Sequence, residues 1–150
     1  MIQKLQNSNK ECSIQIRAVF QSSYAVEARL LEVEDFPPLN RSLEDFINSN
    51  NAFYGFFEYS ALAGVIEVEP TVHYVDINSL VVRPECFRRG IGRKLIEFAF
   101  KEFETKHFIV ETGLKNTPAI ELYKKLGFKE VKQWDTDFGV RKIQFERRAQ

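Results

Sequence analysis

The stretch FRRGIGRKLIEF, Phe87 to Phe98, sets Gly90 and Gly92 among Arg88, Arg89, Arg93 and Lys94. Glycine loses more backbone freedom on folding than any other residue, so two of them here mark a place where backbone must come close to something. An apolar run precedes the pair and helical spacing follows it. Successive N–H groups in such a turn form a concave donor site, and the following helix adds the positive end of its dipole. Flanking arginines add charge-assisted bonds. The chemistry that fits is capture of a phosphate or pyrophosphate. Two familiar phosphate motifs are excluded: a dinucleotide fingerprint needs a third glycine where Leu95 stands, and G-x-x-x-x-G-K-[ST] occurs nowhere. The alternative is a tight turn whose basic residues are merely solvated.

The elements that hold this turn can be read from pattern. Ser13–Phe20 alternates as a strand does, and Ser22 to Glu34 has helical spacing that Pro37 and Pro38 stop. Ser42 is an N-cap for a short helix through Asn48. AFYGFFEY and LAGVIEVE form a hairpin turning near Ser60 and Ala61, and YVDINSLVV is a strand that ends just before the glycine turn. Ile91, Leu95, Phe98 and Ala99 give a helix from Ile91 to Phe103, with Glu97 and Lys101 an i,i+4 pair. HFIVET is a short strand. Thr117 and Pro118 read as N-cap and first residue of a helix that Gly127 closes, and FKEVKQ and VRKIQFER end the chain as strands. With no repeats, linkers or low-complexity tracts, residues 1–150 read as one α+β domain.

Composition sets the limits. The 150 residues suffice for a real core. Lys+Arg and Asp+Glu balance at 21 each, which argues against nucleic acid or an anionic membrane as partner. No segment approaches the ~20 apolar residues of a membrane span, and the start, MIQKLQNSNK, has no apolar h-region. Cys12 and Cys86 do not have metal-ligand spacing and are too few for a disulfide framework, so the expectation is a cytoplasmic protein without a metal. Fourteen phenylalanines imply an aromatic-rich core and can line a pocket.

Two segments together, LVVRPECFRRGIGRKL and NTPAIELYKKLGF, resemble the signature regions of the GNAT superfamily of N-acetyltransferases. The first is similar to its [RQ]-x-x-G-x-[GA] loop with the preceding strand and following helix. The second matches N-x-x-A-x-x-L-Y-x-x-x-G-F at Asn116, Ala119, Leu122, Tyr123, Gly127 and Phe128. Phe87 departs from the pattern, standing where Gln or Arg is usual, although Arg88 and Arg89 follow at once. The N-terminal half fits the β-α-α-β-β order of the family.

The resemblance implies a mixed, mostly antiparallel sheet of six to seven strands flanked by about four helices, with two splayed parallel strands holding acetyl-coenzyme A. Backbone groups of Leu80, Val81 and Val82 would receive the pantetheine arm. Amides of Arg88, Arg89, Gly90, Ile91, Gly92 and Arg93 would take the pyrophosphate. Asn116 would hydrogen-bond the arm, Ala119 would leave room for it, and Tyr123 would project toward the thioester sulfur as general acid. Free tyrosine stays protonated at neutral pH and so has a proton to give. For the base, Asp76 on the strand before Leu80 is the first nominee and Glu111 the weaker one; Glu67 and Glu69 could face the acceptor instead, and water could serve alone. His73, His107 and Cys86 are assigned no role. The expected activity is transfer of an acetyl group to a primary amine, on a small molecule or a protein, by an enzyme that could work as a homodimer. An acyl-coenzyme A-binding module without turnover is the alternative. Acidic Glu32, Glu34 and Asp35 and aromatic Phe53, Tyr54, Phe56 and Phe57 are the features available for choosing the acceptor.

Overall fold

The computed structural model describes residues 1–104 and 107–148. Along the chain come β1 (Ile2–Lys4), α1 (Lys10–Leu30), α2 (Leu43–Asn48), β2 (Ala52–Glu58), β3 (Ala61–Pro70) and β4 (Val75–Val82). After them come α3 (Ile91–Glu102), β5 (His107–Gly113), α4 (Thr117–Lys125), β6 (Lys129–Asp135) and β7 (Arg141–Arg148). The seven strands form one sheet in the order β1-β2-β3-β4-β5-β7-β6, antiparallel throughout except where β4 and β5 run parallel. This is the mixed α+β architecture that the resemblance implies.

Strand alternation divides the core between the two faces of the sheet. Phe53, Val65 and Val81 point to one face and pack with Ile16, Val19 and Phe20 of α1 and Phe46 of α2. Tyr54, Ile66, Ile77, Phe108 and Phe145 point to the other, where Ile91, Leu95 and Ile96 of α3 and Tyr123 of α4 cover them. The phenylalanines are largely core, as in the edge-to-face pair of Phe20 and Phe46 at 4.8 Å.

Two expectations are corrected. Ser13–Phe20 is not a strand but the first half of α1, one helix from Lys10 to Leu30. Ile14, Ile16, Ala18 and Phe20 do alternate, yet the buried residues are Ser13, Ile16, Val19 and Phe20, spaced three and four apart, while Ile14 faces solvent. Asn9 starts the helix by accepting from the Cys12 amide. The first strand is instead Ile2–Lys4, paired with β2. At α4 the N-cap is Asn116 rather than Thr117, with Pro118 in the second helical position.

Pairing of β4 with β5 is short, covering only Val75 to Ile77 against Phe108 to Val110. Directly beyond it lies a β-bulge: Ser79 pairs with Glu67 and Ile77 with Val68, leaving Asn78 without a partner on β3. A bulge bends its strand, so β4 leaves β5 where the bulge begins. The result is a slot in the middle of the sheet, where β4 no longer has β5 as its hydrogen-bonded neighbour.

Candidate active site

Three features surround the slot: a backbone wall on β4, an amide-rich turn into α3 and the Tyr123 phenol on α4. On β4 the amide of Arg83 bonds to Ala63 on β3, so by strand alternation the amides of Leu80 and Val82 face the other way, into the gap left by β5. The Val82 amide there reaches only the Ser23 hydroxyl of α1, at 3.3 Å. The Val81 side chain is buried against α1, while Leu80 lies half-buried beside Gly92.

At the end of β4 a short 3₁₀ turn, Pro84–Cys86, leads to the glycine turn and α3. Gly90 is the N-cap at φ 75°, a left-handed conformation that disfavours a Cβ, and Arg88 has φ 66°. From Arg88 through Arg93 no backbone N–H finds an acceptor among the described residues; the first helical bond comes from Lys94 to Gly90. Six adjacent amides are therefore available at the positive end of a helix, an arrangement able to hold an anion. The two glycines differ in purpose. Around Gly90 there is open space, so the backbone angle requires it. A Cβ on Gly92 would point at Leu122 and Leu80, at 3.4 and 3.6 Å, into the gap between α4 and β4. The arginine side chains are partly engaged already, Arg89 with Glu58 and Arg93 with Glu97 at 3.5 Å. Phe87 is exposed.

Tyr123 is fixed by the way α4 ends. Gly127, at φ 91°, lets the Phe128 amide bond to the Tyr123 carbonyl at 3.0 Å and its own amide to Lys124, a Schellman motif with Phe128 packed on the Tyr123 ring. The ring is 5% exposed, yet its hydroxyl has no hydrogen-bond partner among the described residues. Among the described residues no fully buried side-chain polar atom lacks a partner, so this hydroxyl is not completely sealed from solvent. Burial, then the charge of Glu27 and the phenol of Tyr24, raise its pKa well above that of free tyrosine. It therefore carries its proton at any physiological pH.

Asn116 holds the other end of α4. Its Oδ1 accepts from the Ala119 amide at 3.3 Å, and its Nδ2 donates to Glu27 at 2.9 Å and to Thr112 at 3.3 Å. Both amide protons are used within the protein, and only Oδ1 has capacity left. Ala119 sits half-buried one turn before Tyr123.

The carboxylates separate clearly. Asp76 makes no side-chain hydrogen bond among the described residues, and burial, with Glu111 and Glu69 nearby, raises its pKa to about 6. Glu111 is exposed and paired with Lys142 at 2.9 Å. Glu67 is 1% exposed and fully engaged: Arg41 binds it bidentately at 2.8 and 3.0 Å, Asn51 at 2.8 Å and Ser79 at 3.0 Å. It holds the loop before α2 against β3, and Arg41 stacks on Phe46 at 4.1 Å. Glu69 is exposed and accepts from Asn78. His107 pairs with Glu146 at the far end of β5.

Two cavities open from the slot on the α1 side. The larger, about 790 Å³, lies among Tyr24, Glu27, Phe36, Glu111, Phe138 and Lys142. The smaller, about 440 Å³, includes Arg41, Glu67, Asp76, Asn78 and Glu111. Of Glu32, Glu34 and Asp35 none lines either, nor does Phe56 or Phe57. Tyr24 and Glu27 were not among the residues expected from sequence, which pointed to the acidic Glu32 and Glu34 at the other end of the same expected helix. Their signal was present as Tyr24, Glu27 and Leu31, spaced three and four apart on one face of α1.

Known proteins resemble this chain in sequence and in fold. The chain is 36% identical over 131 residues to the UPF0157 protein YqkA of Bacillus subtilis, covering 87% of this chain and 38% of that protein, so it spans well under half of that relative. It is 30% identical over 135 residues to an N-alpha-acetyltransferase of Sulfurisphaera tokodaii, covering 70% of this chain and 79% of the other. A solved structure with the same fold is the PaiA N-acetyltransferase of Thermoplasma acidophilum in complex with coenzyme A, with TM-score 0.76 and 21% identity over 99% of this chain and 98% of that one. The model of the acetyltransferase (GNAT) family matches residues 15–128. That match runs from within α1 through the slot and the amide turn to the Schellman end of α4, and the chain belongs to the GNAT family of acetyltransferases.

Proposed function

We propose that the protein transfers an acetyl group from acetyl-coenzyme A to a primary amine. The observation that carries this reading is the parting of β4 from β5 beside six consecutive free amides. A donor with a peptide-like arm and a pyrophosphate fits that combination. The amides of Leu80 and Val82 can pair with the arm as a neighbouring strand would. The turn from Arg88 to Arg93 can hold the pyrophosphate, and the gap beside Gly92 lets the arm pass. The relative solved with coenzyme A shares this fold and supports the assignment.

When bound, acetyl-coenzyme A supplies an acetyl group on a thioester whose sulfur leaves as thiolate. Tyr123 then donates its phenolic proton to that sulfur, for which its fixed ring, open hydroxyl and high pKa suit it. Asn116 sets the start of α4, and so the position of Tyr123. Among the carboxyls nominated from sequence, Asp76 keeps free oxygens to accept a proton, whereas Glu111 is engaged by Lys142. The acceptor enters from the α1 side, where the cavity offers carboxylates to an ammonium and aromatic rings to its body. No helix among the described residues is long and apolar enough to cross a membrane. We take the protein to act in the cytoplasm on a small amine or a protein amine.

Acetyl-coenzyme A at millimolar concentration should raise the melting temperature, because a ligand that binds only the folded state stabilises it by mass action. A panel of amines, assayed by release of free thiol, should then contain at least one acceptor. Stabilisation without thiol release from any amine would favour a binding module; no stabilisation would remove the donor site.

A further inference from the structure

We infer that Glu27 of α1 is the proton acceptor for the acceptor ammonium, a role that rests on the transferase reading above. General base and general acid must reach one reacting centre, the base at the attacking nitrogen and the acid at the departing sulfur. Tyr123 belongs to the core on the α3–α4 face of the sheet, and Glu27 comes from the opposite face. The two are nonetheless linked through Asn116, which donates to Glu27 at 2.9 Å and caps the helix that carries Tyr123, and the charge of Glu27 helps to raise the Tyr123 pKa. Asp76 is placed differently. It projects from the paired part of β4, before the strands part.

The carboxyl is also held as a base needs to be. Oε1 accepts from Asn116 at 2.9 Å, while Oε2 has no hydrogen-bond partner among the described residues. The side chain lines the larger cavity, so an amine entering there meets it directly. The groups around it are Tyr24 on its own helix, Lys142 on β7, Asn116 before α4 and Tyr123 on α4. Burial outweighs the opposing effects of Lys142 and Asn116 and raises its pKa to about 7. A carboxyl poised there is ionised enough to accept a proton at neutral pH and basic enough to keep it.

The protons balance. The ammonium passes one proton to Glu27, and the freed lone pair forms the C–N bond at the thioester carbonyl. The C–S bond breaks, with its electron pair going to sulfur, which takes the Tyr123 proton. The remaining extra proton on nitrogen restores the phenol, and the proton on Glu27 leaves to solvent through the cavity. One proton is released per ammonium acetylated.

The test compares Glu27→Gln, Glu27→Asp and Asp76→Asn with the unmodified chain, using the best amine of the thiol-release panel. Glutamine keeps an oxygen for Asn116 and removes only the titrating group. For the unmodified chain kcat/KM should climb as pH rises through about 7, where Glu27 loses its proton. Glu27→Gln should lose roughly 10²–10⁴-fold in kcat and the part of that limb due to Glu27, with the stabilisation by acetyl-coenzyme A kept. Glu27→Asp should retain a limb at lower rate. Carboxyl-carbon NMR of the free protein should show Glu27 titrating near neutrality. The proposal is overturned if Glu27→Gln keeps rate and limb, if Asp76→Asn alone abolishes the limb, or if Glu27 titrates in the ordinary carboxylate range. Stabilisation by acetyl-coenzyme A without thiol release from the unmodified chain would overturn the transfer reading and the base together; an active chain with an indifferent Glu27 would overturn the base alone.

Discussion

At the scale of single residues, the structure separates side chains that are committed to the fold from those left free to act. Glu67 looked as available in the sequence as Asp76, yet four hydrogen bonds tie it to Arg41, Asn51 and Ser79. Tyr123 is the converse, a ring packed on Phe128 and Phe145 whose hydroxyl has no hydrogen-bond partner among the described residues. Tyr123→Phe should therefore leave the melting temperature nearly unchanged, since no hydrogen bond is lost with the oxygen. Affinity for acetyl-coenzyme A should fall by about 1 kcal/mol at most. If the phenol protonates the thiolate, kcat should drop roughly 10²–10⁴-fold. Measuring kcat, Kd for acetyl-coenzyme A and melting temperature on one preparation decides it. A fall in stability with turnover preserved would return Tyr123 to the core.

Among the elements, the turn into α3 and the end of α4 meet at Gly92, whose missing side chain leaves the gap bounded by Leu80 and Leu122. A Cβ fits there at ordinary contact distance, but the two methyl groups of valine would fill the passage. Gly92→Val should fold with a melting temperature close to that of the parent and bind acetyl-coenzyme A at least about 10-fold more weakly, a cost of ~1.4 kcal/mol. Isothermal titration would show it, and unchanged binding would mean that the arm does not run between β4 and α4. This half of the site was legible because local chemistry dictates it: a strand, a left-handed glycine, an amide-rich helix start and a Gly127 cap each leave a short-range mark. The α1 half was not. Ile14 to Phe20 satisfies a two-residue period, and only burial against Phe53, Val65 and Val81, strands far along the chain, selects the helical one. Likewise the bulge at Asn78 leaves no sign in sequence, because it is a register difference between two strands.

Over the whole molecule, the slot gathers carboxyls that the fold prefers to keep protonated, and this couples activity to stability. Burial raises Glu27 from 4.5 to about 7 and Asp76 from 3.8 to about 6. A carboxyl whose folded pKa is raised binds more protons in the folded state than in the unfolded one, so stability falls with rising pH. Its contribution is whole below the unfolded value and is lost as pH climbs through the folded one. For these two groups the decline runs between about pH 4 and pH 7. The melting temperature should accordingly be higher near pH 5 than at pH 8, so far as these groups govern it. Glu27→Gln separates the terms: with nothing to ionise, it should be more stable than the parent at pH 8 by about 1–3 kcal/mol after allowance for partial solvation, and nearly equal to it near pH 4.5. At this chain length that is roughly 3–10 °C in melting temperature. Removing a base would thus stabilise the protein while disabling it, the trade expected where a site holds a charge that the surrounding fold disfavours. Calorimetric melting of both chains at pH 5 and pH 8 provides the measurement. A Glu27→Gln protein less stable than its parent at pH 8 would show that ionised Glu27, through Lys142 and Asn116, is a structural tie and is not held at a cost.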